Sequence, residues 1–281
     1  MDFGADGVGR SESTSDIFGA TPLRALAATL DHPATVWTHG TALPPLWHWL
    51  YFLPLLRHGD IGPDGHARRG GFLPPVPLPR RMWAGSQFEF FAPLRVGDAV
   101  LRTSTIDSVT HKAGRSGALV FVKVRHELRR QNDQAIALRE FHDIVYRAAP
   151  QPGDAEAAPV AAPTGALWTR PVQADDVLLF RYSALTFNAH RIHYDRRYAT
   201  QTEGYPGLVV HGPLIATLLL DLLHQHAPSA QVVRFQFKAL RPTFDVHAFS
   251  IHGARDGDNV RLWAQDHDGW LTMDATATLS D

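Results

Sequence analysis

The sequence predicts an α+β fold in which one unit occurs twice, each unit an apolar helix followed by an antiparallel meander of strands. Two observations carry this prediction. An Ala- and Pro-rich stretch divides the 281 residues near the middle, and on each side a wholly apolar helix candidate precedes several strand-like runs. A faint internal echo supports a duplication, because residues 88–98 and 235–245 both run Phe-x-Phe, then Leu-Arg, then Asp. Two unrelated α+β domains are the alternative.

The first unit is predicted at residues 41–147, after an N-terminal extension (1–40) with no informative pattern. Residues 46–56 are apolar nearly all round, which predicts a short buried helix that Pro54 limits. Runs rich in β-branched and aromatic residues follow and predict four strands. They lie at residues 86–91, 99–109, 118–130 and 135–147, with Gly-, Asp- and Asn-containing turns between the later ones.

The second unit is predicted at residues 166–281, beyond a linker at 148–165 that contains seven Ala and four Pro among 18 residues. Pro213 suits the first turn of a helix because it has no N–H to leave unpaired, and residues 214–223 continue as an apolar core helix. Four further strands are predicted at residues 232–240, 246–254, 259–265 and 271–279.

Composition excludes several classes of function. The 27 Lys and Arg nearly balance the 28 Asp and Glu, so the basic stripe typical of a nucleic-acid surface is not expected. The chain has no cysteine, which excludes disulfides, Cys-ligated metals and a thiolate nucleophile. The longest apolar runs are shorter than the ~20 residues that span a bilayer. The acidic, Gly- and Ser-rich start has no targeting pattern, so we expect a cytoplasmic protein without membrane contact.

The densest cluster of polar functional groups lies just before the second helix, at residues 181–195 and 205–213. This segment resembles the MaoC-like hydratases and dehydratases, and within them the hydroxyacyl-thioester dehydratase type 2 branch, which carries two hot-dog units in one chain. The first half agrees, since residues 70–75 (GGFLPP) and 78–85 (LPRRMWAG) are similar to the signature of that branch. The resemblance implies a double hot-dog fold, two antiparallel sheets that each wrap a central helix.

The resemblance also implies a catalytic Asp and His spaced as D-x-x-x-x-H. Placing His193 on the family histidine puts Asn188 on the family aspartate, where this sequence departs from the pattern. An amide cannot accept a proton as a carboxylate does, but Asn188 can orient the attacking water. His193 is then the main acid/base. Asp195 and Glu203 are alternative carboxylates without the family spacing.

The implied reaction is reversible addition of water across the α,β double bond of an enoyl thioester. The enolate-like oxygen needs hydrogen-bond donors, and the free N–H groups at the start of the second helix fit this role. Gly212 is our candidate donor, and His211 is expected to border the same pocket. The family's first unit shapes the acyl pocket, and we find no second N-x-x-x-x-H element there.

Four arginines are candidate substrate-binding residues, because guanidinium groups fit both the phosphates of coenzyme A and a free carboxylate. They are Arg80, Arg81, Arg181 and Arg191. Resemblance favours a short dicarboxylyl-CoA such as mesaconyl-C4-CoA or itaconyl-CoA, with a 3-hydroxyacyl thioester of fatty-acid synthesis as the alternative. We expect no cofactor and no metal, although His190, His193 and His211 are spaced so that a metal site is conceivable.

Two other classes of function remain open from the sequence. A hot-dog thioesterase would need a carboxylate in the helix region, and Asp221 is the obvious candidate. A non-catalytic acyl-CoA-binding protein would lack the proton-transfer residue, which His193 argues against. The duplication supplies the pairing that single hot-dog units obtain by dimerising, so we expect a monomeric pseudo-dimer or a homo-oligomer of it.

Overall fold

A computed structural model of the chain describes residues 7–33, 35–114, 117–148 and 158–280. These residues form ten strands and four α-helices. In chain order the elements are β1 (Ser11–Ile17), α1 (Ala20–Thr29), β2 (Arg80–Phe90), β3 (Ala99–Gly114), β4 (Gly117–Arg130), β5 (Ile136–Arg147), β6 (Trp168–Val172), α2 (Asp176–Leu185), α3 (Arg196–Gln201), α4 (Gly212–His226), β7 (Gln231–Ala239), β8 (Phe249–Asp256), β9 (Asn259–Gln265) and β10 (Leu271–Ser280). The α+β class and all eight predicted strands are confirmed.

All ten strands belong to one antiparallel sheet in the order β1-β3-β4-β5-β2-β7-β10-β9-β8-β6. The two predicted sheets are therefore joined edge to edge, through β2 of the first half and β7 of the second. The second helix is confirmed and longer than predicted. Nine of the fifteen residues of α4 are buried, and the helix packs against β6, β8 and β9. Because the halves join in one sheet, each half has one free edge strand among the described residues, β1 in the first half and β6 in the second.

The predicted helix at residues 46–56 is wrong in conformation, although most of its residues are buried. Only Trp47–Leu50 form a 3-10 turn. Leu46 (φ 70°) and Phe52 (φ 53°) have left-handed backbone conformations that end any helix on both sides, and Tyr51 is extended. Apolar composition indicated burial correctly, but it did not determine the backbone conformation.

The first forty residues were predicted to be an extension, yet the described part of them contributes β1 and α1. β1 pairs with β3 from Ser11 opposite Thr105 to Ile17 opposite Ala99. α1 buries Leu23, Leu26 and Ala27 in the common core and contacts α2 of the second half. The described α-helix of the first half thus lies before the 3-10 turn. A domain boundary at residue 40 would leave out β1 and α1, which belong to the fold. Of the predicted linker, residues 149–157 lie outside the described residues.

The junction between the halves is tight at Gly85, where β2 runs between β5 and β7. A Cβ atom at this position would lie 2.4 Å from the carbonyl oxygen of Phe237 in β7. Because that oxygen is backbone, Gly85→Ala is expected to push the two strands apart and to lower the free energy of unfolding by about 2 kcal/mol in chemical denaturation. Gly71→Ala is the matched control, since a Cβ there meets nothing within 4 Å. Equal stability of the two variants would contradict a tight junction.

Candidate active site

A cavity of about 2550 Å³ lies along the junction and is lined by residues of both halves. The start of α4 and the loop before α3 border it in the second half, and β2, β5 and the loop around residue 66 border it in the first. His193, Asn188 and Gly212 all line it. The structure thus brings the three predicted catalytic residues to the lining of one cavity.

His193 ends a 3-10 turn (Arg191–His193), and its side chain is 8% exposed. Its Nδ1 lies 2.7 Å from the carbonyl oxygen of Val209. Because a carbonyl only accepts, Nδ1 carries the proton, and Nε2 has the free lone pair. Burial lowers the pKa of His193 to about 4, despite the opposing effect of the Val209 carbonyl. The imidazole is therefore neutral at pH 7 and able to accept a proton.

His211 lies against His193 rather than in the cavity lining. Their rings stack at 3.8 Å with an angle of 18° between the planes, and His211 Nε2 lies 2.8 Å from the hydroxyl oxygen of Ser183. His211 is 1% exposed, and burial, together with His193 and His190, lowers its pKa. In this position His211 supports the His193 ring without carrying a charge. His211 is not part of the cavity lining, so its predicted place on the substrate-binding surface is wrong.

Asn188 combines a structural contact with access to the cavity. Its side-chain Oδ1 accepts a hydrogen bond from the His190 backbone N–H at 3.0 Å. Its backbone N–H donates to the Ser183 carbonyl near the end of α2. The side-chain oxygen thus shapes the turn that leads to His193, and the amide NH₂ remains as a donor. The geometry fits a residue that orients water without exchanging a proton with it.

Gly212 is the first residue of α4, where backbone N–H groups have no partner within the helix and the helix dipole favours negative charge. A Cβ at Gly212 would meet only Met273 Cε, at 3.9 Å. The protein itself would thus accommodate an alanine here. Because Gly212 lines the cavity, the absence of a side chain leaves space for a ligand close to the N-terminus of α4.

The four predicted arginines divide into two pairs. Arg80 and Arg81 of β2 line the cavity, and Arg80 lies 3.5 Å from Glu203. Arg181 is exposed on α2 and is not part of the cavity lining. Arg191 is also outside the lining, since it binds Asp195 and the Pro63 carbonyl. Of the four predicted arginines, Arg80 and Arg81 are the two that line the cavity.

The alternative carboxylates have other partners. Asp195 caps α3 by accepting from the Tyr198 N–H and also binds Arg191. Glu203 lines the cavity and accepts from the Tyr198 hydroxyl at 3.0 Å. Asp221, the thioesterase candidate, binds Arg170 at 2.7 Å and His32 at 2.9 Å and is absent from the cavity lining. A nucleophilic or basic role for Asp221 in this cavity is therefore not supported.

Sequence reasoning missed a polar group in the first half that lines the same cavity. Glu140 in β5 is 3% exposed and accepts hydrogen bonds from His48, Trp49 and His142. Burial alone would raise the pKa of Glu140, but the two histidines outweigh it and hold the pKa well below its ordinary value. The first half thus contributes a paired, buried charge to the cavity lining. Glu140 lies two residues after the buried Leu138, on the same face of the strand, and this period of two was the available signal.

Sequence reasoning also missed Asp64 and His66, in a Gly- and Pro-rich loop of the first half. With His190 they offer donor atoms that all lie within 4.8 Å of one another, the one metal-ligand grouping found among the described residues. Asp64 Oδ2 already lies 3.0 Å from His66 Nδ1, so this pair is satisfied as a hydrogen bond. Nothing in the loop's sequence indicated that it would reach the second half.

The chain is similar in sequence to known dehydratases and hydratases. The sequence profile of hydroxyacyl-thioester dehydratase type 2 matches residues 46–245. The chain belongs to the hydroxyacyl-thioester dehydratase type 2 family. It is 46% identical to a mesaconyl-C(4)-CoA hydratase of Chloroflexus aurantiacus, over 97% of this chain and 96% of that protein. It is 27% identical to the mitochondrial hydroxyacyl-thioester dehydratase type 2 of Schizosaccharomyces pombe, over 82% of this chain and 85% of the other.

Solved structures show the double hot-dog fold of this family member. A MaoC-like dehydratase superposes with a TM-score of 0.71 at 14% identity, covering 97% of this chain and 98% of its own. A MaoC-like dehydratase from Phytophthora capsici gives 0.69 at 13% identity, with 97% and 96% covered. The predicted resemblance and hot-dog fold are confirmed, and the chain is a hydratase/dehydratase enzyme. Among the described residues, no helix is long and apolar enough to cross a membrane.

Proposed function

We propose that this hydroxyacyl-thioester dehydratase family member adds water reversibly to a short, branched dicarboxylyl-CoA, such as mesaconyl-C4-CoA or itaconyl-CoA. The observation that carries the proposal is the neutral imidazole of His193, whose Nε2 is free beside the cavity near the N-terminus of α4. The 46% identical relative, named a mesaconyl-C(4)-CoA hydratase, supports the substrate class.

In the proposed mechanism, Nε2 of His193 takes a proton from water as the water oxygen bonds to Cβ. The Gly212 N–H, at the positive end of α4, stabilises the negative charge that develops on the thioester oxygen. The amide of Asn188 holds the water. Arg80 and Arg81 are two of the arginines that line the cavity, and they bind the substrate's free carboxylate or the phosphates of coenzyme A. Cytoplasmic residence and a monomeric or higher oligomeric state remain predictions.

Dehydration of a longer 3-hydroxyacyl thioester is the second candidate, and the size of the cavity favours it. About 2550 Å³ exceeds the range of roughly 300–1000 Å³ typical of small-ligand pockets. Glu140 and Arg102 in the first half weigh against a long alkyl chain, because a hydrocarbon placed there would desolvate charged groups.

The test is incubation of the purified chain with mesaconyl-, itaconyl-, crotonyl- and decenoyl-CoA. We expect a mass gain of one water and loss of the enoyl-thioester absorbance, with the highest kcat/KM for a dicarboxylyl substrate. Preference for decenoyl-CoA would favour the second candidate. Absence of water addition to every enoyl-CoA would contradict the hydratase assignment, and release of free coenzyme A would instead indicate a thioesterase.

A further inference from the structure

A loop of the first half is fixed against the catalytic turn of the second. The Arg191 N–H donates to the Asp64 carbonyl at 2.9 Å, and the Arg191 side chain donates to the Pro63 carbonyl at 3.0 Å. Gly65, which follows Asp64, has a φ of 91°, and a Cβ there would lie 1.7 Å from the Ala189 carbonyl oxygen. Only glycine permits this approach. The contact therefore holds the side chains of this loop in a defined place beside the turn that carries His193.

Asp64 and His66 form a carboxylate–imidazole pair within this loop. Asp64 Oδ2 lies 3.0 Å from His66 Nδ1, and Oδ1 accepts the His66 N–H at 3.0 Å. The hydrogen bond from His66 holds the pKa of Asp64 well below its ordinary value, so the carboxylate stays ionised. An ionised carboxylate at Nδ1 fixes the tautomer of a histidine and stabilises its protonated form. Nε2 of His66 has no hydrogen-bond partner among the described residues.

A row of imidazoles connects this pair to His193. The rings of His66 and His190 lie 3.8 Å apart, and those of His190 and His193 lie 5.5 Å apart. All three histidines line the cavity. Burial, His66 and His193 lower the pKa of His190 to about 2, so His190 is a neutral spacer. His66 thus faces one anion, Asp64, and one neutral ring, His190. The positive charge of Arg81 in β2 also lowers the pKa of His190.

The hydration chemistry has an open role that this pair fits. Addition of water needs one group that removes a proton from water and another that delivers a proton to Cα. Asn188 lines the cavity, but its amide cannot transfer a proton. Asp195 and Asp221 are held in ion pairs outside the cavity, and Glu203, which lines it, is held by Arg80 and the Tyr198 hydroxyl. His66 is an available imidazole in the cavity lining, next to His190, that a carboxylate supports.

We propose that His66, held by Asp64, is the second catalytic residue of the hydration and protonates Cα while His193 deprotonates the water. The inference rests on the proposed function. The water oxygen bonds to Cβ as its proton moves to His193 Nε2, and the double-bond electron pair shifts to the enolate. That pair then forms the Cα–H bond with the proton of His66 Nε2. His193 afterwards returns one proton to His66 through solvent, so the net change is one added water.

The test compares His66→Gln and Asp64→Asn with the wild type in crotonyl-CoA and mesaconyl-CoA hydration. We expect His66→Gln to lower kcat by about 10²-fold with little change in KM, because the variant keeps the cavity but loses the imidazole that delivers the proton. Asp64→Asn retains a hydrogen-bond acceptor without the charge, so a fall in kcat of about 10-fold, again with little change in KM, is expected. His58→Gln, an exposed histidine of the same loop, is the matched control and should match the wild type.

Three results would overturn the inference. His66→Gln with wild-type kcat would leave His66 without a proton-transfer role. Loss of wild-type activity on chelation, restored by added Zn²⁺, would assign Asp64, His66 and His190 to a metal instead. A wild-type chain that hydrates no enoyl-CoA would contradict the proposed function and this inference together, which distinguishes it from the first result. Should His66→Gln fold poorly, as judged by circular dichroism, Asp64→Asn carries the same test.

Discussion

Replacing His193 by alanine is expected to lower kcat for water addition by about 10³-fold, because the variant loses the base that activates water. The fold should persist, since the side chain makes one hydrogen bond to the protein, to the Val209 carbonyl, and loss of such a bond costs about 1 kcal/mol. Stopped or continuous absorbance assays of the enoyl thioester measure the rate, and thermal unfolding measures the stability.

The pH profile of the wild type provides a second measurement of the same role. A base must be deprotonated to act, and burial lowers the pKa of His193 to about 4. Activity should therefore persist from neutral pH down to about pH 5 and fall as the pH passes through 4, provided that the fold is intact. His224→Ala, at an exposed histidine near the end of α4, is the control and should keep both the rate and the profile. Retention of most activity in His193→Ala would assign the base elsewhere.

Much of the fold could be predicted because its strands carry local signals. Inward residues alternate with outward ones along β4 and β10, and Gly- or Asp-containing turns separate the strands. Pro213 indicated the start of α4 for a similar local reason. β1 lacked such a signal, because six of its seven residues are exposed and most are polar. Its position depends on pairing with β3, which is a long-range contact.

The candidate site was only partly predictable, for the same physical reason. Asn188, His193 and Gly212 lie in one stretch of sequence around the start of α4, so a local motif was sufficient to find them. Asp64 and His66 reach that stretch only because the halves are joined through β2 and β7 and because Gly65 permits the loop to touch Ala189. Closeness in sequence was also a poor guide for Arg181 and Arg191, which lie near the motif along the chain but outside the cavity lining.

Replacing Glu140 by alanine is expected to lower the free energy of unfolding by about 3–5 kcal/mol, the largest stability effect in the first half. The carboxylate is 3% exposed and accepts from His48 and Trp49, at 3.1 Å each, and from His142. Its removal would leave three donors, one of them the buried His48, without their acceptor. Urea unfolding at pH 7 measures the difference.

Glu89→Ala is the matched control, because Glu89 pairs with Arg139 at 3.0 Å but is a third exposed, and such pairs contribute less than about 1 kcal/mol. The folded-state pKa of Glu140 is lowered, so its contribution is complete above the unfolded-state value near 4.5 and disappears as the pH falls toward the folded-state pKa. The stability difference between wild type and Glu140→Ala should therefore shrink below about pH 4.5. A difference that stays constant across this range would mean that packing of the side chain, and not its charge, stabilises the first half.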